Sequence, residues 1–219
     1  MSKYLTKNIK IDNKILVLTA IAYDGHIPVN FSEIVKNIFK DLVDVVRDDI
    51  QFLYIRDNNS YSIDNNSYSI DNKYPGGNCF NRHEAMIALP NWDVDIQLIE
   101  AAIYHEMHHM ARWQNIGYGD TLGGAIVSEG IATYYEELRS GWTPPWAEET
   151  VSSKIIKEAL NNWDNTKYNH NEWFYESARG RWIGYSIGYK IAKELYRLGF
   201  ELNDSVNIKP EDAKELLNL

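Results

Sequence analysis

DVDIQLIEAAIYHEMHHMARW, residues 93 to 113, is the segment from which fold and chemistry can both be inferred. Apolar side chains recur in it at the three- and four-residue spacing of a buried helix face. They are Ile96, Ile99, Ile103, Met107 and Met110. Asp93 is a suitable N-cap, so the pattern predicts a helix from about Asp93 to Trp113.

The second half of this helix contains the motif H-E-x-x-H, formed by His105, Glu106 and His109. A separation of four residues places the two imidazoles one turn apart on one face, where both can bind a single zinc ion. Glu106 lies about 100° further round the helix. It can therefore act as general base toward a metal-activated water. His108 lies three residues after His105 and is an alternative ligand to His109.

A hydrolytic zinc site needs a third protein ligand, and Glu129 is the best candidate. It lies 20 positions after His109, within AIVSEGIATYYEEL (residues 125–138), on a second predicted helix that follows a glycine-rich connection. A carboxylate among apolar neighbours is costly to bury unless it is paired or coordinated. A salt-bridged or exposed helix glutamate is the alternative interpretation.

HEMHH followed by AIVSEGIATYYEEL resembles the gluzincin metallopeptidases, in which H-E-x-x-H precedes a metal-binding Glu. More narrowly, residues 94–197 resemble a bacterial family described only as predicted zinc-dependent proteases. The resemblance implies a zincin-like metallopeptidase fold, one zinc ion per chain and a peptide or protein substrate. It also implies an edge strand that pairs with extended substrate, and we expect Glu84–Leu89 to be that strand.

A peptidase of this type also needs a donor to the developing oxyanion. Tyr185 and Tyr189 are the candidates, one turn apart in GYSIGY (residues 184–189), although close packing of a glycine-bearing helix also explains the pattern. Lesser candidates are His170, Arg179 and Arg181. The two histidines outside any motif, His26 and His83, are predicted to be structural.

The amino-terminal part predicts the order β-α-β. The pattern indicates a strand at Ile15–Ala22, a helix capped by Ser32 and reaching Val46, and a strand at Gln51–Arg56. A turn at residues 75–77 precedes a third strand, Glu84–Leu89.

Later residues predict helices. Their expected spans are about 120–139, 144–163 and 176–197. We therefore predict an α+β fold with one domain over residues 1–219. A small sheet, in about residues 1–92, packs on a mainly helical half, about residues 93–219.

The segment DNNSYSI at residues 57–63 is repeated without change at residues 64–70. Two short copies cannot form a solenoid, so a surface loop or hairpin is expected. The spacing and the terminal Glu of an EF-hand loop are missing, which argues against calcium.

Composition narrows the class of protein. A net charge of -9 over 219 residues, with scattered Lys and Arg, disfavours nucleic acid and anionic membranes as partners. A single cysteine, Cys79, and an amino terminus without a signal-like apolar run suggest a cytoplasmic protein. No segment has the roughly 20 apolar residues that a membrane span needs. Oligomeric state is left open.

Two other functions compete with a peptidase. Cys79 precedes the histidine helix, as the cysteine ligand of peptide deformylases does, but its flanking residues differ and a small buried residue at the end of a turn is the simpler interpretation. The alternatives are therefore another mono-zinc amide hydrolase, such as a deformylase-like or deacylase-like enzyme, and a non-catalytic zinc-binding protein.

Overall fold

A five-stranded sheet forms the amino-terminal part of the computed structural model, which describes residues 3–22, 27, 30–56, 62–63, 66–67, 74–89, 95–147, 150–201 and 204–216. The strands up to residue 89 are β1 Lys3–Ile11, β2 Lys14–Ala22, β3 Ile50–Arg56, β4 Ser62–Ile63, β5 Asn66–Ser67, β6 Gly76–Asn81 and β7 Glu84–Leu89. The sheet has the order β1-β2-β3-β7-β6, and β4 pairs with β5 in a separate hairpin.

The predicted β-α-β unit is confirmed. Helix α1, Phe31–Leu42, connects β2 to β3, and these two strands pair in parallel. Alternate residues of β2 are buried, as expected of a strand with one face on the core. The predicted limits of α1 are wrong: it begins one residue before Ser32 with no capping side chain, and it ends at Leu42.

Two strands of the five-stranded sheet were not predicted from the sequence. β1 forms an antiparallel hairpin with β2, and β6 is an edge strand of the sheet. The expectation that Glu84–Leu89 is the edge is therefore wrong, because β7 lies between β3 and β6. The first two residues of β6, Gly76 and Gly77, were interpreted as part of a turn because two adjacent glycines usually punctuate structure. Here they extend the sheet.

Among the residues that the structure describes, six α-helices follow the sheet, with a small hairpin among them. They are α2 Ile96–Asn115, α3 Leu122–Ser140, α4 Ser153–Asn161, α5 His170–Phe174, α6 Ile183–Arg197 and α7 Pro210–Leu216; the hairpin is β8 Glu176–Ser177 with β9 Gly180–Arg181. The predicted helices at 93–113 and 120–139 are confirmed as α2 and α3. Asp95 caps α2, Thr121 caps α3 and left-handed Gly141 ends it. The proposed cap Asp93 lies outside the described residues.

The other two helix predictions are wrong in extent. Residues 145–147 form only a short 3₁₀ turn, and α4 starts after a new cap, Ser152. α6 begins at Ile183 instead of residue 176, because Trp182 has a left-handed backbone with φ of 57°. A helix cannot continue through that conformation.

Two hydrophobic clusters meet at the α2–α3 helix pair. The first combines the inner sheet face, α1 and the apolar stripe of α2, and the second surrounds α3 and α6. α3 and α6 touch backbone to backbone: a Cβ placed on Gly130 would lie 1.9 Å from the carbonyl carbon of Gly188. The glycines of the GYSIGY segment thus serve close helix packing.

Only part of the repeat at residues 57–70 is described. The hairpin of β4 and β5 lies within it, as a loop or hairpin extension would. His26 lies outside the described residues.

None of the described helices combines the length and the apolar composition that crossing a membrane requires.

Candidate metal centre

Three side chains from α2 and α3 converge on one point. His105 and His109 lie one turn apart on α2, and Glu129 reaches them from α3. The Nε2 atoms of the two histidines are 3.0 Å apart, and Glu129 Oε2 lies 3.2 Å from that of His105 and 3.4 Å from that of His109. All three residues are buried.

This triangle has the dimensions of a zinc site. Tetrahedral zinc with bonds of 2.0–2.1 Å holds its ligand atoms about 3.3 Å apart. The three measured separations scatter around that value. Two imidazoles and one carboxylate are also the ligand set of many hydrolytic zinc sites. The residues present therefore fit the metal.

Outer partners orient each of the three ligands. Glu136 Oε2 lies 2.5 Å from His105 Nδ1, and Ser128 Oγ lies 3.2 Å from His109 Nδ1. Tyr118 donates its hydroxyl hydrogen to Glu129 Oε1. An imidazole that donates from Nδ1 presents a lone pair at Nε2. With both Nδ1 atoms engaged by outer partners, both Nε2 atoms are available to a metal ion.

The charge balance of the cluster also favours a cation. Burial raises the pKa of Glu106 to about 8, with His105 lowering it and the carboxylates of Glu129 and Glu136 raising it further. Although burial alone would lower the pKa of His105, Glu136 and Glu129 raise it well above its usual value. Three buried carboxylates thus surround two imidazoles, and a divalent cation would offset their repulsion.

Glu106 lies beside the triangle with a free acceptor. Its Oε2 is buried and has no hydrogen-bond partner among the described residues. Strand β6 passes directly over it, since a Cβ placed on Gly77 would lie 2.1 Å from Glu106 Oε1. Only glycine leaves room there for the carboxylate.

His108 lies on another side of α2. Its Nε2 is 3.1 Å from Ser205 Oγ, and its ring packs against Tyr135. The converging group contains His109 and not His108. The geometry therefore gives no support to His108 as a ligand.

A cavity of about 270 Å³ opens onto the triangle. The residues that line it are Gly77, Asn78, Cys79, His105, Glu106, His109, Trp113, Tyr118, Glu129, His170, Tyr175 and Tyr185. Of the two candidate tyrosines, Tyr185 is in this lining, whereas Tyr189 donates its hydroxyl to Glu137 and packs on Tyr134.

The lesser candidates for the oxyanion donor differ in whether they line the cavity. His170 lines the cavity, stacked on Phe174 with ring centroids 4.4 Å apart. Arg179 instead pairs with Glu158 and Glu172. Arg181 packs over the ring of Trp182. His83 lies exposed in the turn between β6 and β7, with Nδ1 3.2 Å from the Asp49 carbonyl oxygen.

The prediction that Cys79 lies buried at the end of a turn is wrong. Cys79 lies within β6 and is half-buried. It lines the cavity, with its thiol donating to the Asn81 carbonyl at 3.3 Å. Burial raises the pKa of the thiol, and the carboxylate of Glu106 adds to the effect. The neutral thiol is thus favoured, and Cys79 is not part of the converging group.

Sequence reasoning did not assign Tyr118, Glu136, Tyr175 or Gly77 to the site. Glu136 could have been found, because it lies seven positions after Glu129 and two helical turns return a side chain to nearly the same face. Tyr118 lies in the short α2–α3 connection, and this position in the sequence indicates only weakly that it lies near Glu129. Tyr175 follows α5, and no feature of the sequence indicated that it lies at the site.

Comparison with protein families gives a match over residues 31–215 to the family described as Predicted Zn-dependent protease (DUF2268). The chain belongs to this family. A comparison with curated proteins gives no match. The resemblance inferred from the H-E-x-x-H and S-E-G-I-A segments is confirmed.

Among solved structures, this family member is similar to an M1 zinc metallopeptidase from Deinococcus radiodurans, with 11% identity and a TM-score of 0.52. The alignment covers 99% of this chain and 51% of that one, so the chain spans about half its length. An aminopeptidase N family protein from Idiomarina loihiensis aligns with 12% identity over 98% of this chain and 40% of that one, with a TM-score of 0.48. At such identities the first match shows the fold alone, and it is that of a zinc metallopeptidase.

Proposed function

We propose that the protein is a zinc-dependent peptidase in which His105, His109 and Glu129 hold one zinc ion and Glu106 is the general base. The observation that carries the proposal is the triangle of donor atoms, 3.0 to 3.4 Å on a side, beside a buried carboxylate oxygen without a partner. When bound there, zinc supplies a Lewis acid that lowers the pKa of a water molecule and polarises a carbonyl group.

Glu106 has the position and surroundings of a proton carrier. Its Oε2 takes a proton from the water whose oxygen attacks the peptide carbonyl carbon, and then passes it to the amine that leaves as the C–N bond breaks. Burial and neighbouring carboxylates raise the proton affinity of Glu106. Gly77 leaves the carboxylate room to stay in place.

The Tyr185 hydroxyl is our candidate donor to the carbonyl oxygen as negative charge develops on it. Tyr185 lines the cavity beside His105 and Glu106 and approaches from α6. Burial and the negative charge of Glu129 raise the pKa of Tyr185 well above its usual value, so the hydroxyl keeps its proton. We do not extend the role to Tyr189, whose hydroxyl is engaged by Glu137.

The edge of β6 is our candidate for substrate pairing. In the described sheet β6 pairs with β7 on one side, and its residues Gly77, Asn78 and Cys79 line the cavity. An extended peptide added to that edge would bring its backbone amides past Glu106. This transfers to β6 the role first expected of β7.

The test compares wild type with Glu129→Ala and Glu106→Gln, all purified without chelators or a histidine tag. Metal content by mass spectrometry should show about one zinc per chain in wild type, little in Glu129→Ala, and a wild-type amount in Glu106→Gln. Hydrolysis of a mixed peptide library should fall about 10²–10⁴-fold in Glu106→Gln.

Glu137→Gln is the matched control, because Glu137 lies on the same helix but binds Thr143 and Tyr189. It should retain both zinc and activity. Absence of zinc from wild type after loading would refute the metal site. Zinc binding without peptide hydrolysis would support a non-catalytic zinc protein, or an enzyme for another amide if acylated or formylated substrates are hydrolysed.

A further inference from the structure

A second pocket, of about 70 Å³, adjoins the metal cavity on the other side of Glu106. Its walls are largely aromatic and aliphatic. The side chains that define it are Tyr74, Leu98, Ala102, Trp142, Trp146 and Tyr185. We call this group the aromatic pocket.

The rings of the aromatic pocket hold one another in place. Trp142 and Trp146 pack edge to face with centroids 5.6 Å apart, and Tyr74 lies 5.6 Å from the first and 5.8 Å from the second. Tyr185 contacts Trp146 at 6.2 Å. Such contacts favour fixed ring orientations.

Backbone hydrogen bonds fix the two tryptophans as well. Ser186 on α6 donates to the Trp146 carbonyl at 2.7 Å, and the Trp142 N–H donates to Ser140 Oγ at 3.1 Å. Ser140 in turn donates to the Glu136 carbonyl at 2.6 Å. The walls are therefore connected to α3 and α6, the helices that carry Glu129 and Tyr185, and the pocket is preformed.

The aromatic pocket opens at the reacting centre. It shares with the metal cavity the residues Gly77, His105, Glu106, Tyr175 and Tyr185. A peptide extended along β6 presents alternate side chains to opposite faces. The side chain of a substrate residue next to the scissile peptide bond, which would lie over Glu106, can therefore point into the aromatic pocket.

The chemistry of the lining selects against charge. Among the described lining residues the carboxylates are Glu106 and Glu136, and Glu136 is already bonded to His105. An acidic side chain would be repelled by both. A basic one could pair only with Glu106, whose Oε2 the proposed mechanism needs for the attacking water, and the Trp146 Nε1 donor, which is buried without an acceptor among the described residues, could not pair with it.

We propose that the aromatic pocket binds an aromatic or large aliphatic side chain adjacent to the cleaved bond, and that Trp142, Trp146 and Ala102 determine this specificity. The inference rests on the proposed peptidase function. It assigns a substrate class to the site: peptides with a large apolar residue next to the scissile bond.

The experiment uses zinc-loaded enzyme and quenched fluorescent peptides that differ at one position, occupied by Phe, Leu, Ala, Lys or Glu, on either side of the cleaved bond. Wild type should cleave the Phe and Leu peptides at least about 10-fold faster, by kcat/KM, than the Ala peptide. Trp142→Ala should reduce this preference. Ala102→Phe, which fills the pocket from α2, should abolish it.

Tyr196→Ala is the control for loss of an aromatic ring, since Tyr196 is 48% exposed and lies outside the pocket lining. It should retain the wild-type preference. An independent readout is binding of N-acetyl-phenylalanine amide to Glu106→Gln, followed by tryptophan fluorescence. N-acetyl-alanine amide and N-acetyl-lysine amide should bind about 10-fold more weakly, and Ala102→Phe should remove the difference.

The outcomes separate this inference from the proposed function. Cleavage of all five peptides at similar rates, or a preference for Lys, would overturn the inference and leave the peptidase function intact. An unchanged preference in Ala102→Phe would also overturn it. Failure of zinc-loaded wild type to cleave any peptide would instead contradict the peptidase function. Binding of the three N-acetyl amino acid amides would then be the test of whether the pocket prefers an aromatic side chain.

Discussion

The two sides of the cleft differ in how they are built. The metal side takes its ligands from two consecutive helices, and hydrogen bonds to Ser128, Glu136 and Tyr118 orient them. The aromatic pocket is assembled from distant segments, including residue 74, the link after α3, and α6, and ring packing orients its walls. We therefore expect the two sides to have different roles, catalysis on the metal side and substrate selection in the aromatic pocket. Changes on the metal side should alter turnover of every substrate, whereas changes in the aromatic pocket should alter the choice among substrates.

The largest effect is expected from the ligand pair on α2. His109→Gln should lose zinc and all peptidase activity, because it removes one of three ligand atoms. Its affinity for zinc should fall by more than the roughly 100-fold that loss of an outer partner costs. His108→Gln is the matched control and should retain zinc, because His108 faces Ser205. Equal loss in both variants, by titration with a competing chelator, would contradict the assigned ligand set.

Tyr185 lines both the metal cavity and the aromatic pocket, so substitutions of it can separate an effect on catalysis from an effect on substrate selection. Tyr185→Phe should lower kcat by about 10²–10³-fold, as removal of an oxyanion donor does, with zinc content unchanged. The ring that contacts Trp146 remains, so the preference among peptides should persist. In Tyr189→Phe, steady-state kinetics should show little change. A loss confined to KM would argue that Tyr185 only binds substrate.

Gly77→Ala should reduce kcat about 100-fold, with zinc retained. The new methyl group would overlap the Glu106 carboxylate and displace either that group or β6, and small displacements of catalytic groups have effects of this size. Metal analysis and kinetics on one preparation would check it. Wild-type turnover would show that β6 can shift without disturbing the general base.

The smallest of these effects is expected at Glu136. Glu136→Gln should weaken zinc binding about 10–100-fold, because the ring of His105 loses a charged partner 2.5 Å away. Glu137→Gln, one position further, should leave zinc affinity unchanged. Because Glu136 also lines the aromatic pocket, the same variant should accept a Glu-bearing peptide better than wild type does. If neither property changes, Glu136 is a structural residue only.

Much of the metal side could be predicted from the sequence. The H-E-x-x-H spacing needs only the geometry of one helical turn, and Glu129 only a second helix after a short connection. The strands Gln51–Arg56 and Glu84–Leu89 followed from local apolar runs in the same way. The edge strand β6 did not, because Gly76 and Gly77 read locally as a turn. Only Glu106, packed against Gly77, explains why glycine is needed there.

What the sequence determined by itself is therefore the chemistry of one helix pair: which residues share a face and can bind a divalent metal ion. The tertiary structure alone decided which tyrosine lines the cleft, where α6 begins and which aromatic side chains meet beside Glu106. Tyr185 and Tyr189 have the same local pattern, and only their neighbours, Trp146 in one case and Glu137 in the other, distinguish them. The physical reason is that helix periodicity is fixed by backbone hydrogen bonds a few residues apart, whereas aromatic packing is tolerant of partner and depends on contacts across the whole chain.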